Sequence, residues 1–145
     1  TEKKTSIVHG DYSLTNVMVG KDDPNVIAIL DWELSTLGDP CADFNYHCLQ
    51  YTMNPKLADK DYCISKGIPI IEDYVQMYSE KIEIDLTEEW DLYSAYNLFK
   101  LAGILQGILG RVRDGTAANQ NAAERASGVK NLSDTAWDLV QKNFL

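Results

Sequence analysis

The chain has 145 residues, of which 45% are hydrophobic and 24% charged, and its formal net charge is −9 at pH 7. This length and composition suit one globular domain with a buried core, so we expect a single domain over residues 1–145. The acidic balance and the lack of a basic cluster argue against nucleic acid or an anionic membrane surface as partners. No uninterrupted apolar run is long enough to cross a membrane.

The three cysteines, Cys41, Cys48 and Cys63, lack the paired spacing of a metal site or a redox motif. Cys41 and Cys48 are seven residues apart, which places them on one face of a helix, where small buried thiols are common. We therefore predict reduced structural cysteines in a soluble intracellular protein. The cytoplasm is the expected compartment, with mitochondria and peroxisomes as alternatives.

The first thirty residues predict a small β-structure. Residues 7 and 8 predict a short strand, and two apolar runs at 17–19 and 26–30 predict a hairpin, because the residues between them favour a tight turn. Every position of 26–30 is apolar, which predicts a strand covered on both faces. The hairpin would place residues 11–16 at one edge and residue 31 at its end.

Two motifs flank these strands. Residues 9–16, HGDYSLTN, fit H-x-D-x-x-x-x-N, the catalytic-loop pattern of protein kinases, and Asp31 closes an apolar run as the metal-binding Asp of D-F-G does. Phosphoryl transfer requires that a protein position an acceptor hydroxyl and hold Mg²⁺ against the phosphates. Asp11 would accept the hydroxyl proton. Asn16 and Asp31 would bring a neutral and an anionic oxygen to Mg²⁺.

Departures from the protein-kinase pattern indicate a different branch. Gly10 stands where protein kinases have Arg, and LDWELSTLGDP at 30–40 is followed by Asp43 instead of A-P-E. With HGD, DWE and GDP-x-x-D in this order, the chain resembles the aminoglycoside phosphotransferase (choline kinase-like) family. The 30–40 segment and LFKLAGILQGI at 98–108 are similar to the phosphotransferase-like domain of acyl-CoA dehydrogenase family members ten and eleven, and to bacterial relatives.

This resemblance implies an α+β, mainly α fold, the C-terminal lobe of a protein-kinase-like fold in which a small β-hairpin carries the catalytic loop. It implies that His9 packs at the end of that loop and that Asp43 braces the loop backbone. It also implies ATP as the phosphoryl donor and a small-molecule hydroxyl as the acceptor. Similarity to the acyl-CoA dehydrogenase-linked branch favours a hydroxy acid or a hydroxyacyl-CoA.

Helices fill the rest of the predicted chain. Asp39 and Pro40 predict the N-cap and first turn of a helix that ends near residue 53, before Asn54-Pro55. Residues 56–67 predict an irregular segment, after which Pro69 opens a second helix. Residues 85–88 resemble a capping box before the longest helix, about 87–113, which Gly115 ends. Residues 116–128 predict a loop or a weak helix, and residues 131–134 cap the last one.

The longest helix carries a polar stripe that offers a possible substrate pocket. Asn97, Lys100 and Arg111 lie roughly along one face of it. The alternative is an ordinary solvated face, which surface helices usually have. Gly103 and Gly107 form G-x-x-x-G, which in a soluble protein predicts close helix packing.

No glycine-rich loop and no strand Lys for a nucleotide precede residue 9. We therefore expect the N-terminal nucleotide-binding lobe to be absent from this chain, the chain alone to be inactive, and a homodimer to form through the uncovered catalytic face.

Two alternative functions remain open. One is a pseudokinase or interaction domain, against which the intact motif argues. The other is a metal-dependent phosphohydrolase with His9, Asp11, Asp31 and either Asp39 or His47 as ligands. Whether Glu33 or Asp39 contacts the metal is left open.

Overall fold

The computed structural model describes residues 4–117, 124 and 127–145. The chain divides into two compact units, Thr1–Thr87 and Glu88–Leu145. The expectation of a single domain stays a prediction. Most of the segment predicted as a loop or a weak helix, 116–128, lies outside the described residues.

Four short strands form two antiparallel two-stranded sheets in the first unit. Strand β2 (Val17–Val19) pairs with β3 (Val26–Ile29), and this is the predicted hairpin. Strand β1 (Ser6–Val8) pairs with β4 (Thr36–Gly38), so that Ile7 lies opposite Leu37. Strand β4 was not predicted, because its sequence has no apolar alternation and only the distant partner β1 makes it a strand.

The prediction that β3 is covered on both faces is wrong for this chain. Val26 is 56% exposed, Ile27 63% and Leu30 45%. An all-apolar strand normally has packed layers on both sides. Within the described residues these layers are missing from β3, so its apolar side chains form part of an exposed apolar surface.

Helix α1 (Pro40–Met53) begins and ends where the sequence predicts. The Asp39 carboxylate accepts a hydrogen bond from the Cys41 N–H at 2.8 Å, and Pro40 occupies the first turn. Its inner face is buried and contributes Phe44 and Cys48 to the core. Helix α4 (Ile71–Ile82) lies against this face, because the Tyr78 ring stacks on Phe44 with centroids 3.8 Å apart.

The segment predicted as irregular contains two short helices instead, α2 (Pro55–Ala58) and α3 (Lys60–Ser65). Asn54 and Asp59 cap them by accepting hydrogen bonds from the N–H groups two residues further on, both at 3.0 Å. The polar composition of this segment gives no helical pattern, so the sequence did not predict these helices. The caps stabilise them because they satisfy the first N–H groups, even in a helix of one turn. All three cysteines are buried and free, as predicted.

The second unit consists mainly of two helices, α5 (Trp90–Arg113) and α6 (Val129–Phe144), which pack on each other. Helix α5 begins three residues later than predicted, because the Asp85 carboxylate caps Thr87 in a separate turn. Helix α6 begins at Val129, so the residues predicted as its cap, 131–134, lie inside it. Gly115, at φ +69°, follows the end of α5 as predicted.

The G-x-x-x-G prediction of close helix packing is wrong for the described residues. A Cβ added to Gly103 would meet no atom within 4 Å, and one added to Gly107 would meet only Arg111 of the same helix, at 3.9 Å. Both glycines therefore face open space in the described chain. None of the described helices has the length and apolar character that a membrane span requires.

Candidate active site

Residues 9–16, hereafter the catalytic loop, connect β1 to β2 and end in a 3-10 turn, Leu14–Asn16. The loop starts with a sharp bend at Gly10, whose φ is +82°. A Cβ at this position would lie 2.5 Å from the Leu34 carbonyl oxygen, which is far inside van der Waals contact. Gly10 is therefore required by the backbone, a requirement that the sequence did not reveal.

Asp43, in the first turn of α1, holds the start of the catalytic loop. Its Oδ2 accepts a hydrogen bond from the His9 N–H at 2.8 Å, and its Oδ1 accepts one from the Gly10 N–H at 2.9 Å. Hydrogen bonds to an ionised carboxylate are shorter and stronger than neutral ones. The position one turn into a capped helix thus fixes two successive backbone groups just before Asp11.

The His9 side chain ties the loop to the end of β3. Its Nε2 lies 2.8 Å from the Leu30 carbonyl oxygen, and its Nδ1 accepts from the Asp11 N–H at 3.3 Å. Because a carbonyl only accepts, Nε2 is the donor in the first of these bonds, and Nδ1 is the acceptor in the second. Both nitrogens are occupied and the residue is only 4% exposed, which disfavours the metal-ligand role that a phosphohydrolase would give it.

Asn16 links Asp11 to the strand that precedes Asp31. Its side-chain Nδ2 donates to the Asp11 carbonyl oxygen at 3.0 Å, and its own carbonyl accepts from the Leu30 N–H at 2.8 Å. Asn16 therefore lies beside the residue before Asp31, at one end of the β2–β3 hairpin. Since the amide nitrogen is in use, Oδ1 is the atom that Asn16 can offer to a cation.

Asp31 has a left-handed backbone, with φ 65° and ψ 54°. Asp tolerates this region better than most residues, yet such a conformation persists only where the surroundings enforce it and is common at functional sites. The next residues form a 3-10 turn, Trp32–Leu34, and the Trp32 Nε1 donates to the Ile29 carbonyl at 2.8 Å. This turn directs the chain away from β3 and leaves Asp31 exposed.

The donor set around Asn16 and Asp31 fits Mg²⁺. It combines an amide oxygen with a carboxylate that caps no N–H of the turn it precedes, and Mg²⁺ takes one or two such oxygens together with water and phosphate. The Oδ1 atom of Asp39 already accepts the N-cap hydrogen bond from the Cys41 N–H, which makes Asp39 a poorer candidate for a metal ligand. In the part of the chain that the structure describes, no three His, Cys, Asp or Glu side chains gather into a metal cluster.

Asp11 is held by its backbone on both sides. Its N–H donates to His9 and its carbonyl accepts from Asn16, so both of its backbone polar groups are engaged. The carboxylate lies near Tyr46 of α1. Burial raises the pKa of the Tyr46 phenol, and the Asp11 charge raises this pKa further.

Comparison with known protein families shows which family the residues of this site belong to. Residues 1–96, which include the catalytic loop, Asp31 and Asp43, match the family described as "Phosphotransferase enzyme family". The chain belongs to this phosphotransferase family. The resemblance predicted from the sequence motifs is thereby confirmed.

Individual relatives of this chain agree with that assignment. A crystal structure from Ralstonia eutropha, provisionally described as an aminoglycoside phosphotransferase, superposes with a TM-score of 0.88 and is 39% identical, over 97% of this chain and 44% of that one. Mouse acyl-CoA dehydrogenase family member 10 is 36% identical over 97% of this chain, and human member 11 is 31% identical over 99%. The chain spans only 14% and 19% of these two relatives. The predicted kinase-like, mainly α fold is confirmed.

The residues predicted to bind substrate lie on α5 in the second unit. Asn97 is 1% exposed, Lys100 is half-buried and Arg111 is exposed. The three therefore do not form a uniformly solvated face. That they line a substrate pocket stays a prediction.

Sequence reasoning missed an aromatic cluster behind the catalytic loop. The rings of Tyr12, His47 and Tyr74 follow one another from the loop through α1 to α4. Tyr12 and Tyr74 also line a cavity of about 420 Å³ between β1, α1 and α4. The available signal was the position of His47, one helical turn after Asp43.

Proposed function

We propose that this chain is the catalytic lobe of an ATP- and Mg²⁺-dependent O-phosphotransferase that acts on a small molecule. The observation that carries the proposal is the set of hydrogen bonds from Asn16. Asn16 bonds to both the Asp11 carbonyl and the N–H of Leu30, the residue before Asp31. These hydrogen bonds hold the proposed proton acceptor and the two proposed Mg²⁺ ligands, which phosphoryl transfer requires, in one part of the structure. Membership of the phosphotransferase family supports it.

Each residue has a separate task in this proposal. Asp11 orients the acceptor hydroxyl and takes its proton as the hydroxyl oxygen bonds to the γ-phosphorus and ADP departs. Asn16 and Asp31 hold Mg²⁺, which neutralises charge on the phosphates when bound. Asp43 and His9 do not touch substrate. They keep the catalytic loop in the geometry on which positioning depends, and positioning supplies most of the rate in this chemistry.

The names of the relatives support one acceptor class in this proposal. The two curated relatives are named as acyl-CoA dehydrogenase family members, which supports a hydroxy acid or a hydroxyacyl-CoA as the molecule that receives the phosphate. A carboxylate or a CoA phosphate needs cationic partners. Lys100 and Arg111 are the candidates, with Asn97 as a hydrogen-bonding neighbour on the same helix.

A further lobe completes the nucleotide site in this proposal. The chain spans 44% of the solved relative, and its catalytic loop and β3 leave large apolar side chains exposed, including Leu14 at 79% and Ile27 at 63%. Groups open to water bind Mg²⁺ weakly and do not fix in-line geometry. We therefore expect the chain by itself to transfer no phosphate.

The proposal is tested by mass spectrometry of hydroxy acids and hydroxyacyl-CoAs that have been incubated with Mg-ATP and the complete protein that contains this chain. A new phosphate ester is expected. Asp11→Asn should lower turnover by about 10²–10⁴-fold with ATP affinity little changed, because only the proton acceptor is lost. An equal loss of ATP affinity would instead assign Asp11 to the metal. Turnover by the isolated chain at the rate of the complete protein would show that the nucleotide binds elsewhere.

A further inference from the structure

His47 occupies a position on α1 that reaches the catalytic loop next to Asp11. It lies four residues after Asp43, so both side chains leave the same face of the helix. Asp43 binds the N–H groups that precede Asp11, at His9 and Gly10. The His47 ring packs against Tyr12, the residue that follows Asp11, with ring centroids 5.0 Å apart. One helix face thus contacts the loop on both sides of Asp11.

The other side of His47 is bound to α4. Its Nε2 lies 3.2 Å from the Tyr74 hydroxyl, and the two rings meet edge to face with centroids 5.8 Å apart. Tyr74 is itself fixed by an edge-to-face contact with Phe44, at 5.2 Å. Tyr12, His47 and Tyr74, hereafter the His47 bridge, therefore form a continuous connection from α4 to the catalytic loop.

The His47 bridge is held together by neutral groups. Burial lowers the pKa of His47, and the Tyr12 backbone carbonyl and the Asp43 carboxylate oppose this lowering only in part. Burial also raises the pKa of Tyr74 to about 12, so its hydroxyl stays protonated. The ring is thus oriented by the Tyr74 hydroxyl and by its packing on Tyr12.

We propose that His47 is a positioning residue for phosphoryl transfer: held by Tyr74, it fixes Tyr12 and thereby the direction of the neighbouring Asp11. This rests on the proposed function, in which Asp11 acts on the acceptor hydroxyl. Asp43 alone fixes the loop only before Asp11. Residues that orient a catalytic group without touching substrate change its effectiveness through geometry, as outer hydrogen-bond partners do at metal sites.

The test compares two Tyr→Phe variants on α4. Tyr74→Phe removes the hydroxyl that holds His47 and keeps the ring. Tyr78→Phe is the matched control, because its hydroxyl donates to the Pro40 carbonyl instead of holding His47, and its ring stacks on Phe44. Amide ¹H–¹⁵N spectra of the chain should show shifted Asp11 and Tyr12 signals in Tyr74→Phe and in His47→Phe, and unshifted ones in Tyr78→Phe.

In the complete protein, Tyr74→Phe and His47→Phe should lower kcat, by up to about 10²-fold, and leave KM for ATP unchanged, because a misplacement of 1 Å suffices for such a loss. Tyr78→Phe should keep its kcat. Equal effects of Tyr74→Phe and Tyr78→Phe on the Asp11 and Tyr12 signals would overturn the proposal and leave His47 a packing residue. If the wild-type protein transfers no phosphate, the proposed function fails, and the spectra alone decide on the His47 bridge.

Discussion

The bend at Gly10 gives a prediction whose size follows from the structure. In Gly10→Ala the new Cβ would sit 2.5 Å from the Leu34 carbonyl oxygen, on a backbone at φ +82°. Left-handed strain costs an L-residue about 1–2 kcal/mol. Displacing a backbone carbonyl adds an overpacking cost of about 1–3 kcal/mol. We therefore expect the free energy of unfolding of the first unit to fall by about 2–5 kcal/mol, a large share of the total for a domain.

Gly67→Ala is the matched control. Gly67 lies in the same unit at φ +67°, and its added Cβ would meet no atom within 4 Å, so this variant carries the strain without the clash. Urea denaturation, followed by the fluorescence of Trp32 in a Trp90→Phe, Trp137→Phe background, measures both variants. The expected difference between them is about 1–3 kcal/mol, the overpacking cost alone. Equal losses would refute the close approach of Gly10 to Leu34.

Three further predictions follow from the first unit. Asp43→Asn should lose one of the two charge-assisted hydrogen bonds to the catalytic loop and lower the free energy of unfolding of the unit by about 1.5–3 kcal/mol. An unchanged midpoint in urea denaturation would show that Asp43 does not stabilise the loop. The pKa of His47 is lowered below its ordinary 6.5 by burial, so its contribution to stability is complete above that pH and is lost as the pH falls below it. In His47→Phe this part of the pH dependence should disappear from denaturation curves. The exposed apolar strands should make the chain self-associate in sedimentation velocity, and Ile27→Lys should weaken this. A monomer at every concentration would contradict that expectation.

Local signals in the sequence were sufficient for several parts of the structure. Asp39 and Pro40 predicted the start of α1, because a cap and a first-turn proline act within a few residues of chain. The predicted hairpin placed residues 11–16 near residue 31, and the hydrogen bonds of Asn16 to Asp11 and Leu30 agree with that placement. This was predictable because Asp11 and Asn16 are close in sequence and the hairpin returns the chain to residue 30.

Features that depend on distant partners were missed. Strand β4 forms only because it pairs with β1, which lies about thirty residues earlier in the chain. Gly10 is required because the Leu34 carbonyl lies close to it. The His47 bridge likewise joins three elements. The apolar run in β3 was read correctly as a strand, but its coverage depends on layers that the described chain does not supply. Periodicity predicts that a face is apolar and does not predict what packs on it.

The central claim is that Asp31, together with Asn16, holds the Mg²⁺ on which phosphoryl transfer depends. Asp31→Asn tests it most directly, since Asn tolerates the left-handed backbone as Asp does and the substitution removes only the charge. The measurement is the rate at which the complete protein transfers labelled γ-phosphate from ATP to a hydroxylated acceptor, as a function of Mg²⁺ concentration. We expect a rate loss of at least about 10²-fold at ordinary Mg²⁺, because the only anionic ligand of the pair is lost. Full activity of Asp31→Asn at ordinary Mg²⁺ would contradict the account.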